Sequence, residues 1–233
     1  MNIEVLLDAD AVARRAAAFI ADAARTAVSA RGRFVFAVSG GRTPWIMLRV
    51  LAEEELPWEA VEVVQVDERV APEGHTDRNL THLRESLLER APLKPGQIHA
   101  MPVEAEDLGA AAGEYGETLD GLTGPSGRLD LVHLGLGPDG HTASLIPDAP
   151  ELDVRDAPVA VTGVYQGRRR MTLTYPVLDR ARRILWVVTG DDKREMLPRL
   201  RDGDAAIPAG RVASGNAVVL ADRAAAALLP NQS

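Results

Sequence analysis

The chain has no cysteine, which excludes disulfides, thiolate nucleophiles and cysteine-ligated zinc, and fits a reducing compartment. Lysine is almost missing too. Of 26 basic residues only Lys94 and Lys193 are lysines, so arginine serves wherever any cation will do and each lysine becomes a candidate for a particular task. No apolar run approaches the roughly 20 residues needed to span a bilayer. The start "MNIEVLLDADAVARR" lacks the basic opening and small-residue cleavage site of a secretory signal, so a cytoplasmic protein without a membrane partner is expected. A basic surface is absent as well: the formal net charge is −8 and the arginines form no long run, which argues against broad nucleic-acid binding. An anionic ligand would therefore need a locally positive site within an unfavourable overall field.

What is present is ordinary for a globular chain, with 46% hydrophobic and 26% charged residues, and the length of 233 residues suits one domain spanning 1–233. "DADAVARRAAAFIADAARTAVSARG" reads as an amphipathic helix opened by Asp and closed by Gly. After it, "RFVFAVSGGRTP" is a strand running into glycines and "WIMLRVLAEEE" a helix. The same grammar returns in "VEVVQVDERV" before a helix over "HTDRNLTHLRESLLERA", and in "RLDLVHLGLGPDGH". "EAEDLGAAAGEYGETLDGL" reads as a glycine-weakened helix, and "PVAVTGVYQGRRRMTLTYP" as two extended segments around a basic turn, followed by the helix "VLDRARR". "ILWVVTG" is a buried strand, "DDKREMLPRLRDG" a helix disturbed by Pro198, "NAVVLA" a last strand and "DRAAAALL" a last helix. Such alternation predicts an α/β fold, a Rossmann-like, mostly parallel sheet with helices on both faces. Ligands of such sheets sit outside the carboxyl ends of the strands, which selects "VSGGRT", "VDERV", "GLGPDGHT" and "VTGDDK" as converging site segments.

Each segment has a chemical and a bland reading. In "SGGRTP" the glycines allow backbone N–H groups close to an anion, and Ser39 and Thr43 add hydroxyls at a helix N-terminus. The alternative is a tight turn with Thr43 as N-cap and Pro44 at the first helical position; the segment is neither a Walker loop nor a dinucleotide fingerprint. "VDERV" places Asp67, Glu68 and Arg69 past a β-branched strand, so at least one charge should face the crevice unless they form a solvated turn or an internal pair. Asn79 is expected to cap the next helix, and His75 and His82 to lie at the surface. Lys193, in the first turn of its expected helix, opposes the macrodipole unless it reaches an anion. The turn at Arg168, Arg169 and Arg170 could grip a phosphate bidentately, and spacing alone does not choose among the three.

Among five histidines only His141 follows a buried strand in a glycine-rich loop, with Asp139 two residues earlier. An imidazole suits a general base toward water, and a carboxylate would orient it and raise its basicity. The rival makes Asp139 a turn residue and His141 part of the cap of a helix over "TASLI". No metal is demanded, because the acidic and histidine residues lack ligand spacing, and no cofactor is expected. Nor is a covalent nucleophile: Ser39 and Ser144 have no neighbouring base, and the GxSxG elbow is missing.

In order, "VSGGRTP", "VDERV" with the later "RN", "LDLVHLGLGPDGHTASLIP", "RRMTLTYPVL" and "VTGDDK" resemble the motif series of the 6-phosphogluconolactonase family from about residue 34 to 195, "GxGxDGHTASL" being the most specific. The resemblance implies the NagB/RpiA/CoA transferase-like fold and hydrolysis of 6-phospho-D-glucono-1,5-lactone in the oxidative pentose phosphate pathway. Carried over by position, it makes His141 the base beside Asp139. On the same resemblance Arg69 and Asp67 would line the sugar side, with Arg69 also facing the developing oxyanion. It likewise implies that Ser39, Gly40, Gly41 and Thr43 form a phosphate cradle, aided by Arg170, chosen for its spacing to "MTLT", and by Lys193. Ile146 replaces the Phe common in the family, a packing change. The sister glucosamine-6-phosphate deaminases share the cradle and the "DGH" loop but show "DEY" where this chain has "DERV", and are longer. A non-catalytic sugar-phosphate sensor would carry a DNA-binding module or lose the histidine. With no heptad or conspicuous apolar patch, a monomer or weak homodimer is expected.

Overall fold

Ten strands and six helices position the site in this computed structural model, which describes residues 1–230; the last three residues of the expected domain lie outside the described ones. In chain order the strands are β1 (Asn2–Leu6), β2 (Phe34–Val38), β3 (Val61–Gln65), β4 (Asp67–Arg69), β5 (Ile98–His99), β6 (Leu131–Leu134), β7 (Val159–Val161), β8 (Arg170–Leu173), β9 (Ile184–Val188) and β10 (Ala217–Asp222). The helices are α1 (Ala9–Arg31), α2 (Arg42–Leu51), α3 (Asn79–Leu83), α4 (Leu108–Thr123), α5 (Tyr175–Arg180) and α6 (Met196–Arg201). Seven strands form one parallel sheet in the order β1-β10-β9-β6-β2-β3-β5.

Burial of both faces explains why its central strands read as continuous apolar runs rather than alternating ones. On β2, Phe34, Phe36 and Val38 join the core under α1 and α2, while Val35 and Ala37 join the opposite core with Tyr115 of α4. On β9, Leu185 and Val187 take the first side and Ile184, Trp186 and Val188 the second. Each buried Val, Leu, Ile or Phe among them contributes roughly 1.5–3 kcal/mol relative to exposure. Helix α1 starts where Asp8 accepts the Ala11 N–H at 2.8 Å and stops at Gly32 with φ 78°. Its fully buried Ala13, Ala16, Ala17 and Ala24 let its backbone lie close to its neighbours.

The direction of strand addition reverses between β6 and β2, so the loops after those strands open onto the crevice where α/β sheets bind ligands. A second, three-stranded antiparallel sheet, β4-β8-β7, walls that crevice. It is absent from the sequence expectation. "VEVVQVDERV" is two strands, and the second leaves the parallel sheet to pair with the expected extended segments at 158–176. The pairing sets Arg69 directly opposite Arg170.

Other elements also differ. β1 is not expected from the sequence, because its half-exposed residues alternate weakly, and β5 has only two residues. The helix expected from residue 75 begins at Asn79, with Arg78 at its cap position, and ends in a wide turn at Arg84–Leu88. The helix expected over 191–203 is a single turn at Asp191–Lys193 followed by α6, with Pro198 as its third residue, where the missing N–H costs nothing. No helix forms at 222–229. Asp222 instead accepts the N–H groups of Ala225 and Gly190, and so short an alanine run cannot offset the cost of nucleation.

Candidate active site

At the end of β2, Ser39, Gly40 and Gly41 lead into α2, whose cap position is Gly41 with φ 136° and no side-chain cap. Thr43 is therefore not the N-cap, nor Pro44 the first helical residue; the Thr43 hydroxyl instead bonds the Thr189 hydroxyl at 2.6 Å. Glycine is required at position 40, since a Cβ there would lie 2.0 Å from Asn79 Oδ1. Behind the loop, the Ser39 N–H donates to Nδ1 of the fully buried His133 at 3.3 Å. Burial depresses the His133 imidazole to about 3, so it stays neutral and keeps accepting that bond at physiological pH.

The loop after β6 is a closed turn, with Gly137 N–H donating to His141 O at 2.8 Å and Gly140 N–H to Gly137 O at 3.1 Å. Residues 142–146 form no helix; Thr142 and Leu145 make a local bridge, which removes the capping reading of His141. His141 Nδ1 lies 2.6 Å from Asp139 Oδ1. Asp139 Oδ2 accepts the Tyr165 hydroxyl at 3.0 Å. Burial alone would raise the Asp139 carboxyl, but the His141 charge, the hydrogen bonds from His141 and the Tyr165 hydroxyl together hold it below its ordinary value. Asp139 is thus ionised at neutral pH, which assigns the Nδ1 proton of a neutral ring to this bond and leaves Nε2 as the basic nitrogen. Among the described residues Nε2 has no hydrogen-bond partner.

The small sheet supplies the facing wall. Of the "DER" triplet, Asp67 and Arg69 line the crevice. Glu68 is fully buried on the other side, accepting the N–H groups of Asn79 and Leu80 and closing the start of α3. Asn79 is no cap: its amide donates to Asp67 O at 2.9 Å and accepts from Arg69 Nη1 at 2.7 Å. Asp67 also accepts the Ser144 hydroxyl at 2.7 Å. Of the three arginines, Arg168 pairs with Asp77 at the rim and Arg169 reaches the Thr162 carbonyl, whereas Arg170 is buried and lines the cavity. Burial, and then the charge of Arg69, lower the Arg170 pKa. Arg69 and Arg170 face each other across the two strands and line the same cavity as Asp67, and two guanidinium groups so placed favour an added anion.

Ser39, Gly40, Gly41, Asp67, Arg69, His141, Arg170 and Lys193 all line one cavity of about 180 Å³. Asp139 stands behind His141. Thr43 lies in an adjoining lobe of about 210 Å³, which shares Gly40, Gly41 and Lys193 with the first. Arg170 belongs only to the first lobe. Lys193 reaches both while pairing with Asp192 at 2.7 Å; it sits ahead of α6, so the macrodipole argument does not apply to it. Ser39 Oγ, Arg69 Nε and Arg170 Nε are buried without a partner among the described residues. No cluster of three His, Asp or Glu side chains able to hold a metal occurs among those residues.

Residues 7–221 match the model of a family described as glucosamine-6-phosphate isomerases/6-phosphogluconolactonase. The chain belongs to this family. Within the glucosamine-6-phosphate isomerase/6-phosphogluconolactonase family, a 6-phosphogluconolactonase of Nostoc sp. is 36% identical over 203 residues, covering 85% of this chain and 84% of that protein. The crystal structure of 6-phosphogluconolactonase from Thermotoga maritima matches with a TM-score of 0.85 at 26% identity, over 95% of this chain and 98% of that one. A monomeric glucosamine-6-phosphate deaminase matches with a TM-score of 0.86 at 21% identity, over 98% and 100%. That last likeness concerns the fold alone, and its near-complete mutual coverage corrects the expectation that a deaminase is longer than this chain. The expected NagB-like α/β architecture is therefore shown, and the shape of the sheet does not separate lactone hydrolysis from deamination.

Three contributors to this candidate site escape sequence reading. Asn79 and Ser144 bond Asp67 from segments 12 and 77 residues away, and Tyr165 reaches Asp139 from a hairpin 26 residues on. Only the "RN" pair, quoted as part of the motif series, hinted at Asn79.

Proposed function

We propose that the chain hydrolyses 6-phospho-D-glucono-1,5-lactone to 6-phosphogluconate, in the oxidative pentose phosphate pathway, by metal-independent general-base activation of water. The observation that carries this reading is one cavity holding the His141 imidazole, backed by Asp139, together with a glycine loop and three cationic side chains. The names of the curated relatives support the same substrate.

His141 Nε2 takes a proton from water as its oxygen bonds to the lactone C1. The carbonyl oxygen becomes an oxyanion facing Arg69, which stabilises it. Collapse then breaks the bond from C1 to the ring oxygen, and that oxygen takes the proton back from His141. Asp139 stabilises the imidazolium throughout. At the other end Ser39, Gly40 and Gly41, with Thr43 and Lys193 in the adjoining lobe, hold the phosphate, while Asp67 and Arg170 bind between the two ends. Ser39 Oγ, Arg69 Nε and Arg170 Nε, unpartnered among the described residues, gain acceptors in this arrangement. The protein is read as one domain over residues 1–233, because its site loops span residues 39 to 193, and as a monomer or weak homodimer. The location is read as cytoplasmic, where a phosphorylated sugar made inside the cell is retained by the bilayer.

The test compares acid release from fresh 6-phosphogluconolactone at neutral pH with ammonia release from glucosamine 6-phosphate. Acceleration of the first reaction alone is expected. Ammonia formation would assign the protein to the deaminase branch, and no acceleration of either would reduce it to a sugar-phosphate binder.

A further inference from the structure

We propose that Tyr165 is a positioning residue for the reaction, its hydroxyl fixing Asp139 and its ring carrying Arg170, so that one side chain sets the base pair and a substrate-binding guanidinium relative to each other. This rests on the assignment of His141 as base. Tyr165 does not line the cavity, so it acts through its neighbours. Its hydroxyl donates to Asp139 Oδ2 at 3.0 Å, while Asp139 Oδ1 holds His141 Nδ1 at 2.6 Å. The two oxygens of one carboxylate are thereby committed, which blocks rotation of the carboxylate away from the imidazole. The Tyr165 ring also meets the His141 ring edge-on, centroids 5.8 Å apart and planes at 69°. On the other side the Arg170 guanidinium lies 5.0 Å from the Tyr165 centroid, a cation–π contact.

The hairpin joining β7 to β8 makes this placement rigid. Tyr165 and Arg168 exchange backbone hydrogen bonds of 2.9 and 3.3 Å around a two-residue turn. Gln166 and Gly167 have φ of 51° and 79°, positive at both central positions as a type I′ hairpin requires. Glutamine rarely adopts such a φ. Its side chain here accepts from Arg170 Nη2 at 3.2 Å, so the turn that presents Tyr165 also buttresses the arginine resting on it. Arg168, next along, ties the hairpin to the segment before α3 through Asp77 at 3.0 Å. Burial, and then the bond to Asp139, raise the Tyr165 phenol, so it remains a donor across the working pH range.

Tyr165→Phe removes the hydroxyl and keeps the ring; Tyr165→Leu removes both. The Phe variant is expected to lower kcat about tenfold, as for loss of one hydrogen bond to a charged group, with KM for 6-phosphogluconolactone within about twofold of wild type. The Leu variant should lower kcat similarly and raise KM severalfold as well. Independently of turnover, the downfield proton resonance of His141 Nδ1–H, assigned by its loss in His141→Ala, should shift in Tyr165→Phe. Wild-type kcat with an unmoved resonance in the Phe variant would overturn the proposal, and so would equal KM values in the Phe and Leu variants. Wild-type turnover in His141→Ala would instead remove the base assignment beneath it, and the resonance would then decide the Tyr165–Asp139 contact by itself.

Discussion

His141→Ala is expected to lower kcat for 6-phosphogluconolactone by about 10²- to 10⁴-fold, the usual contribution of a positioned general base, while binding of 6-phosphogluconate changes little. The asymmetry follows from how the site is assembled. The imidazole comes from the loop after β6, whereas the glycine loop after β2, Lys193 and the paired arginines of the small sheet come from other elements and survive its removal. No other histidine lines the cavity, His133 being buried behind Ser39. Steady-state kinetics, corrected for spontaneous hydrolysis, together with calorimetric titration of 6-phosphogluconate, check both halves. Turnover near wild type would show that water is activated elsewhere.

A second large effect is expected where no functional group is touched. In Gly137→Ala the new Cβ would lie 2.1 Å from His141 Nδ1 and 2.7 Å from Asp139 Oδ1, distances that no real structure tolerates. The backbone at Gly137 is not in the left-handed region, so the methyl acts on the Asp139–His141 pair and not through main-chain strain. The ring must swing out or the Asp139–His141 bond must break. Since a displacement of about 1 Å can cost around 10²-fold, kcat should fall at least that far, with KM much less affected. A crystal structure of the variant would show the ring displaced. Retention of near wild-type kcat would mean that the tight seating of the ring is irrelevant to the chemistry.

Both predictions concern a loop whose importance is readable in the chain itself. "LGLGPDGH" follows a buried strand, and glycine, proline and a lone acid–imidazole pair cannot continue either a strand or a helix. The major strands and α1 are legible for the same reason: local pattern and local geometry agree there, down to Asp8 and Gly32 at the two ends of α1. What stays hidden depends on partners distant in sequence. Asn79 has the composition of a helix cap, yet Glu68 closes the start of α3 and frees Asn79 for Asp67 and Arg69. The departure of β4 from the parallel sheet is set by its pairing with β8 about a hundred residues later, and nothing within "VDERV" records it. The same pairing separates Arg170 from Arg168 and Arg169, which spacing alone leaves equivalent. The capping alternative for Thr43 fails for a local reason: α2 starts at Arg42, after Gly41, and the Thr43 hydroxyl bonds Thr189 instead.

One cavity is thus expected to hold the phosphate at its glycine and lysine end and the reacting carbon at its imidazole end. The most direct measurement is a crystal structure with 6-phosphogluconate bound. The expected complex places a carboxylate oxygen within about 3 Å of His141 Nε2 and the phosphate against the Gly40 and Gly41 amides and Lys193. A product lying in the reverse sense, or held away from His141, would contradict it.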